Sequence, residues 1–245
     1  MGYFASRAAA LGPVPAEVVT ATFYNFHPEK VGRAIPDAWD LSTPERVLAA
    51  RLEVAQTALA DVFGDAADLA LEAADLAVTV AEAADISGRP LAAAHAAQER
   101  PDAPHLRLWW AATVLREHRG DGHVALLVTE GIDGCEAHVL KHAAGEAPGP
   151  EQMALSRGWS ENRWAEAEAA LAERGLLSDG TLTPDGIELR EHIEARTDAL
   201  ALQPYRDAGP ARSERLLELL RPVARAILGR GEMPFPNPMG FPRLS

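Results

Sequence analysis

Apolar residues recur at every third and fourth position through most of this chain, and Gly and Pro cut the runs, so the pattern predicts a succession of helices. The pattern is clearest from Gly158 to Asp198. Ser160 supplies an N-cap side chain, Glu161 and Glu166 sit near the positive end of the helix dipole, and Trp164, Ala167 and Leu171 form one apolar side before Gly175 stops the helix. Two short apolar runs, Leu176-Leu177 and Thr181-Leu182, then flank Ser178-Asp179-Gly180, and Asp-Gly in that setting predicts a hairpin. Thr183 and Pro184 open another helix. The order is helix, wing, helix.

Upstream, Met1 to Leu11 reads as a short helix, and Pro15 opens a second with Val18, Val19, Thr22, Phe23 and Phe26 on one face. The Asn25-Phe26-His27-Pro28 corner ends it, and a short helix covers Glu29 to Ala34. Ser42-Thr43-Pro44-Glu45 starts a long helix to Phe63. The charged residues from Asp65 to Asp85 are all acidic, yet Leu69, Leu71, Leu76 and Val80 keep an apolar side, which predicts a helix with an acidic solvent face. Further helices are predicted over Leu91 to Gln98 and His105 to Arg119. Gly120-Asp121-Gly122 reads as a turn before a short helix from His123 to Val128, and another helix covers Gly134 to Ala144. A closing helix spans Ser213 to Leu228, and the tail Met233 to Pro242, with Pro at nearly every second position, is expected to lie extended in a groove of the body.

The order helix, Trp39, capped long helix, Gly64 returns as helix, Trp159, capped long helix, Gly175. The expected fold is therefore all-α with a short β-wing, built as tandem winged helix-turn-helix units that form a pseudo-dimer in one chain, the first unit's wing at Gly64 to Ala67 being rudimentary. The expected division is a degenerate unit over residues 1–103, a second unit over 104–205, and a closing helix with the Pro-rich tail over 206–245, with Arg100 to Pro104 as the boundary between halves. Coincidence between two alanine-rich helical stretches is the competing explanation.

Composition narrows the setting. The chain has 245 residues, is 47% hydrophobic but only 6% aromatic, and carries a formal net charge of −13, which opposes binding to a polyanion. One cysteine, Cys135, excludes an intramolecular disulfide framework, and no secretory leader or bilayer-length apolar run is visible, so a cytoplasmic protein is expected.

Leu171 to Leu177 (LAERGLL) and Leu182 to Gly186 (LTPDG), on either side of the short wing, resemble MarR-type winged helix-turn-helix regulators. Together, YFASRAA near the start, ATFYNFHP at Ala21 to Pro28, RAIPDAW at Arg33 to Trp39 and LREHRGDGHVALL at Leu115 to Leu127 are similar to an actinobacterial helix-turn-helix family described as SalK-like or MarR-like. The resemblance covers nearly the whole chain and implies a MarR-related fold. It brings no activity with it.

DNA reading needs basic and amide side chains at the start of the second helix and a basic wing. Here that helix offers Glu161, Asn162, Arg163, Glu166, Glu168, Glu173 and Arg174, and the wing has Asp179 with no Lys or Arg. DNA is therefore disfavoured by charge. Cys135, His138 and His142 share a helical face, but the ends of an i, i+7 pair lie about 10 Å apart, too far for one ion. No GxSxG, P-loop, GxGxxG or HExxH motif is present, which points away from the common enzyme classes.

A ligand pocket has the best positive case. Phe23, Phe26, Trp109 and Trp110 would wall a site between the halves, and Tyr24, His27, His118 and His123 would orient a small apolar or aromatic molecule. Such imidazoles leave haem or metal ligation open, and an ordinary helical core is the alternative for the whole set. The sequence reading is thus a small-molecule sensor or sequestering protein of MarR-like fold, a monomer or homodimer without strong DNA binding and away from membranes. A one-component transcriptional regulator that binds DNA and an effector is the alternative.

Overall fold

A computed structural model describes residues 1–64 and 67–231, with the side chains of residues 67 and 68 left aside. The Pro-rich tail from Met233 to Pro242, expected in a groove of the body, lies outside the described residues. So do residues 65 and 66 of the expected first wing.

The chain forms α1 (Gly2–Ala8), running into a 3-10 turn at Ala9–Leu11, then α2 (Ala16–Phe23), α3 (Pro28–Gly32), α4 (Asp37–Leu41), α5 (Pro44–Phe63) and α6 (Ala67–Glu82). It continues through α7 (Pro90–Ala96), α8 (Pro104–Thr129), α9 (Gly134–Ala143), α10 (Pro150–Arg157) and α11 (Glu161–Glu173) to the hairpin β1 (Leu177–Ser178) and β2 (Thr181–Leu182). Three helices close it: α12 (Pro184–Ala201), α13 (Gln203–Ala208) and α14 (Pro210–Gly229). Among the described residues no helix is long and apolar enough to cross a membrane.

Local chemistry explains the boundaries. The Thr43, Ser160 and Thr183 hydroxyls accept from the backbone N–H three residues on, and Asp133 and Glu136 form a reciprocal capping box at α9. The wing is the expected hairpin: Leu177 pairs with Leu182 and Ser178 with Thr181, and Asp179 and Gly180 both take positive φ, 49° and 74°, as a two-residue primed turn demands. Both described strands lie in the second half.

One expectation is corrected. Gly120-Asp121-Gly122 does not break the chain, because α8 runs unbroken from Pro104 to Thr129. Helix α7 packs closely there: a Cβ at Gly122 would meet the Arg89 guanidinium, which donates to the His118 carbonyl, while the Asp121 carboxylate accepts from Ala92 N–H at 3.0 Å in the first turn of α7. Tertiary packing overrides the turn signal. Helix α10 is an addition to the elements expected between Ala144 and Gly158, its eight residues carrying too few apolar positions for a period.

Helix α8 is the organising element, with α6 and α7 packed along it on one side and α12 on another. Three cores meet it or lie beside it. One joins alanines of α6 to Leu108, Ala111 and Val114 and to Leu216 and Leu219, where small side chains let the helices approach closely. A second, around Ile132, Cys135, Met153, Trp164 and Leu171, holds α9 to α12 together. The third gathers Phe4, Phe23, Phe26, Val31 and Ile35 from α1 to α4.

Candidate functional site

A cavity of about 770 Å³ opens along α8. Leu108, Ala112, Leu115, Arg119, His123 and Leu127 all line it, a stripe spaced by three or four residues. At 1.5 Å rise per residue the stripe from Leu108 to Leu127 is about 28 Å long.

Its two ends differ in chemistry. At the Leu108 end the facing walls are Ala77 of α6, Tyr205 of α13 and Leu216, Leu217 and Leu220 of α14. At the other end α8 faces Tyr24, Asn25 and Phe26 after α2, His138 and Lys141 of α9, and Arg157 of α10, with Tyr3 and Arg7 of α1 close by. Phe26 and Arg157 meet directly, the guanidinium lying 4.5 Å from the ring centroid.

Charges at this end fall into two groups. Both carboxylate oxygens of buried Glu117 accept from the Arg7 Nη2, at 2.9 and 2.7 Å, and one also accepts from Arg116. Arg7 in turn stacks over the Phe23 ring at 4.4 Å and donates to the Tyr3 hydroxyl. Arg119 reaches Glu194 and Asp198 of α12. These cations each have a carboxylate partner, although the Arg7 Nε is buried without an acceptor among the described residues. Lys141 and Arg157 instead form no hydrogen bond or ion pair through their charged groups among the described residues, and the Arg157 Nε is buried without an acceptor. Burial lowers the pKa of both.

His138 lies between them in electrostatic reach, since both cations add to the burial that pushes its imidazole down to about 4. Its Nε2 is 3.1 Å from the Asn25 carbonyl, which also accepts from Trp159 Nε1. Nε2 therefore carries the proton, and Nδ1 is left as a buried acceptor with no partner among the described residues.

The second candidate surface is α10, the turn at Gly158, and α11. Gly158 takes the left-handed conformation at φ 87°, and Trp159 and the Ser160 cap redirect the chain into α11, whose Trp164, Ala167 and Leu171 face inward. Outward it shows Glu161, Asn162, Ala165, Glu166, Ala169 and Glu173. The arginines of α11 and its C-cap are engaged with the body: Arg163 pairs with Asp133 and Glu166, and Arg174 donates to the Gly131 and Glu130 carbonyls at 2.9 and 3.0 Å. Helix, glycine turn, helix and wing follow in the order of a helix-turn-helix unit. A family model described as a helix-turn-helix family matches residues 1–234. The chain belongs to that helix-turn-helix family. No curated protein and no solved structure matches it.

Within this helix-turn-helix protein the residues singled out from sequence separate. Tyr24, Phe26 and His123 line the cavity; Tyr24 donates to the Ile132 carbonyl at 2.6 Å, and His123 Nδ1 lies 3.0 Å from the Thr197 hydroxyl. Phe23 is buried behind the wall, under Arg7. His27 accepts from Glu29 N–H at the start of α3 and packs edge-on to Trp159. Trp110 is in the core and donates to the His95 carbonyl, and His118 is fully buried. Trp109 faces a separate groove on α5, beneath the Arg51 guanidinium at 4.9 Å.

Cys135, His138 and His142 also diverge, as their spacing indicated. Cys135 Sγ faces the Arg163 carbonyl, its thiol pushed up to about 12 by burial and by Asp133, and His142 contacts the Ala147 carbonyl. Among the described residues no group of three or more His, Cys, Asp or Glu side chains is placed to hold a metal ion.

The sequence reading missed Arg7, Glu117, Lys141 and Arg157. No local pattern marks them, because each gains its meaning from partners on helices distant in sequence. The one usable signal was polar residues on the α8 stripe at helical spacing.

Proposed function

We propose that this helix-turn-helix protein is a small-molecule receptor of MarR-like, SalK-like architecture, acting in the cytoplasm, whose ligand enters the cavity along α8. Its recognition helix does not hold duplex DNA tightly. The observation that carries the reading is the contrast between its two surfaces: α11 and the wing present glutamates, alanines and an aspartate, while the cavity keeps apolar walls and two unpaired cations. Neutralising backbone phosphates needs basic side chains on the outward face, and these are absent from α11 and the wing. A volume of about 770 Å³ suits a small organic molecule.

The tandem arrangement belongs to the same proposal, with residues 1–103 and 104–205 as two fused winged-helix units and a chain that acts as a monomer or homodimer. It is supported by α6 and α12 both packing on α8, and by Trp39 and Trp159, which each precede a hydroxyl-capped longer helix and donate an indole N–H to a backbone carbonyl. A regulator that reads DNA is the second reading, favoured by the helix-turn-helix fold itself.

Two measurements decide between them. Nile red, a neutral apolar dye, should bind with enhanced fluorescence, and Ala112→Trp should weaken it at least about tenfold without lowering the melting temperature, because Ala112 is exposed on the cavity wall. Absence of dye binding, or indifference to that substitution, refutes the receptor reading. In gel shifts with genomic fragments at about 150 mM salt, no specific retention is expected. Salt-sensitive, sequence-specific retention would install the DNA-binding regulator in its place.

A further inference from the structure

Resting on the receptor reading, we propose that the ligand is an elongated amphipathic anion, its anionic head seated between Arg157 and Lys141 and its hydrocarbon chain laid along α8 toward α14. The first support is charge. In a chain of net charge −13, a half-buried cation without a direct ion pair should be the exception, yet the cavity holds two at one end. Acidic neighbours exist but are used elsewhere: Glu117 is taken by Arg7 and Arg116, Glu194 by Arg119, and Glu146 by Arg190. Lys141 feels Glu194 and Glu146 only at longer range, neither forming an ion pair with it, and Arg157 has no carboxylate in reach, so an anion from solution would complete a head-group site there.

Geometry adds the head-group position. The guanidinium is held against the Phe26 ring, which fixes its plane while leaving its N–H edge without an acceptor. The His138 Nδ1 acceptor, buried on the same wall, offers a lone pair to a donor hydrogen. A monoprotonated acid group, or a carboxylate with a neighbouring hydroxyl, satisfies both.

Polarity along the groove gives the length of the ligand. From Leu115 toward Leu108 the walls are Ala77, Ala112, Leu216, Leu217 and Leu220 with the Tyr205 ring, and the α8 stripe runs about 28 Å from end to end. A compact aromatic acid would occupy only the Phe26 end. An extended chain of roughly ten to sixteen carbons covers the leucines as well, at about 25 cal/mol per Å² of apolar surface removed from water.

Displacement of Nile red from the full-length protein tests this, with dodecanoate, dodecanol and benzoate as competitors below their aggregation limits. Dodecanoate is expected to bind at least about tenfold more tightly than dodecanol or benzoate. Arg157→Gln and Lys141→Gln should each weaken dodecanoate about tenfold and leave dodecanol unchanged, while Arg157→Lys should retain most of the affinity. Unchanged dodecanol binding in the variants shows that they fold. If dodecanol competes as well as dodecanoate, or if neither displaces a dye that Ala112→Trp does expel, the anion inference is wrong and the receptor reading stands. Equal competition by benzoate removes the extended chain. If the protein binds no Nile red at all, the receptor reading itself falls.

Discussion

Glu117→Ala should destabilise the protein by about 3–5 kcal/mol, the cost of leaving a buried ion-pair partner uncompensated. For a chain of this length that is a fall of roughly 10 °C in melting temperature. The reason lies in what Glu117 joins. Its carboxylate is nearly inaccessible and accepts through both oxygens from the Arg7 Nη2, so it ties α1 to α8 across the first and second halves of the chain. Arg7 then covers Phe23 and orients Tyr3, which packs on Phe26 at the cavity wall. Removing the acid leaves Arg7 buried beside Arg51 and Arg116 with no counter-charge. Replacing both partners, as Arg7→Met with Glu117→Leu, should recover most of the loss, because the pair and its desolvation cost disappear together. Urea denaturation of the two single variants and the double variant measures this. A loss below about 1 kcal/mol for Glu117→Ala would mean that the α1–α8 tie is not structural.

The second large effect is expected on acidification. Burial pushes His95 and His138 down to about 4, and His123 is lowered by burial too. In the unfolded chain these rings take up protons near 6.5, whereas in the folded chain they do so only near 4. Between those values the unfolded state binds more protons, so stability falls as pH falls from about 6.5 to about 4. Glu194, held below the usual carboxylate range by His123, Lys141 and Arg119 against its own burial, acts in the same direction. Asp121 opposes them: burial raises it to about 6, so the folded chain keeps that proton between pH 6 and 3.8 and gains stability on acidification. Burial lowers His118 as well, so four histidines stand against one aspartate, and the net loss across the window is on the order of 5–10 kcal/mol. Melting temperatures from pH 7 to pH 4 should drop steeply, and His138→Gln should flatten the drop. A flat profile would show that these imidazoles protonate in the folded state at ordinary pH.

Much of the fold was legible because its signals are local. Ser160, Thr183 and Pro184 mark helix starts by chemistry that needs no tertiary partner, and Asp179-Gly180 specifies its own turn. Where reading failed, a distant contact had overruled the local signal. Arg89 and the first turn of α7 pack against Gly122 and Asp121, and α8 passes straight through a sequence that looks like a turn. The site was legible only in part for a related reason. Aromatic and imidazole groups cluster in sequence at Phe23 to His27 and again on α8, but helical geometry sends neighbours to different sides. Phe26 faces the cavity, while His27 caps the next helix; His123 reaches the lining, and His118, five residues earlier, is buried away from it. Arg157 and Lys141 gain their role by lacking partners, and a lack of partners leaves no trace in sequence.

The central claim is that the cavity along α8 is where this protein meets its small molecule. Hydrogen exchange of the full chain, with and without saturating Nile red, tests it most directly. The account predicts slowed exchange in the segments that line the cavity, residues 134–157 and 203–220 together with the middle of α8, and no change in the wing at residues 177–182 or in α5. Protection confined to α5, or none anywhere despite bound dye, would contradict it.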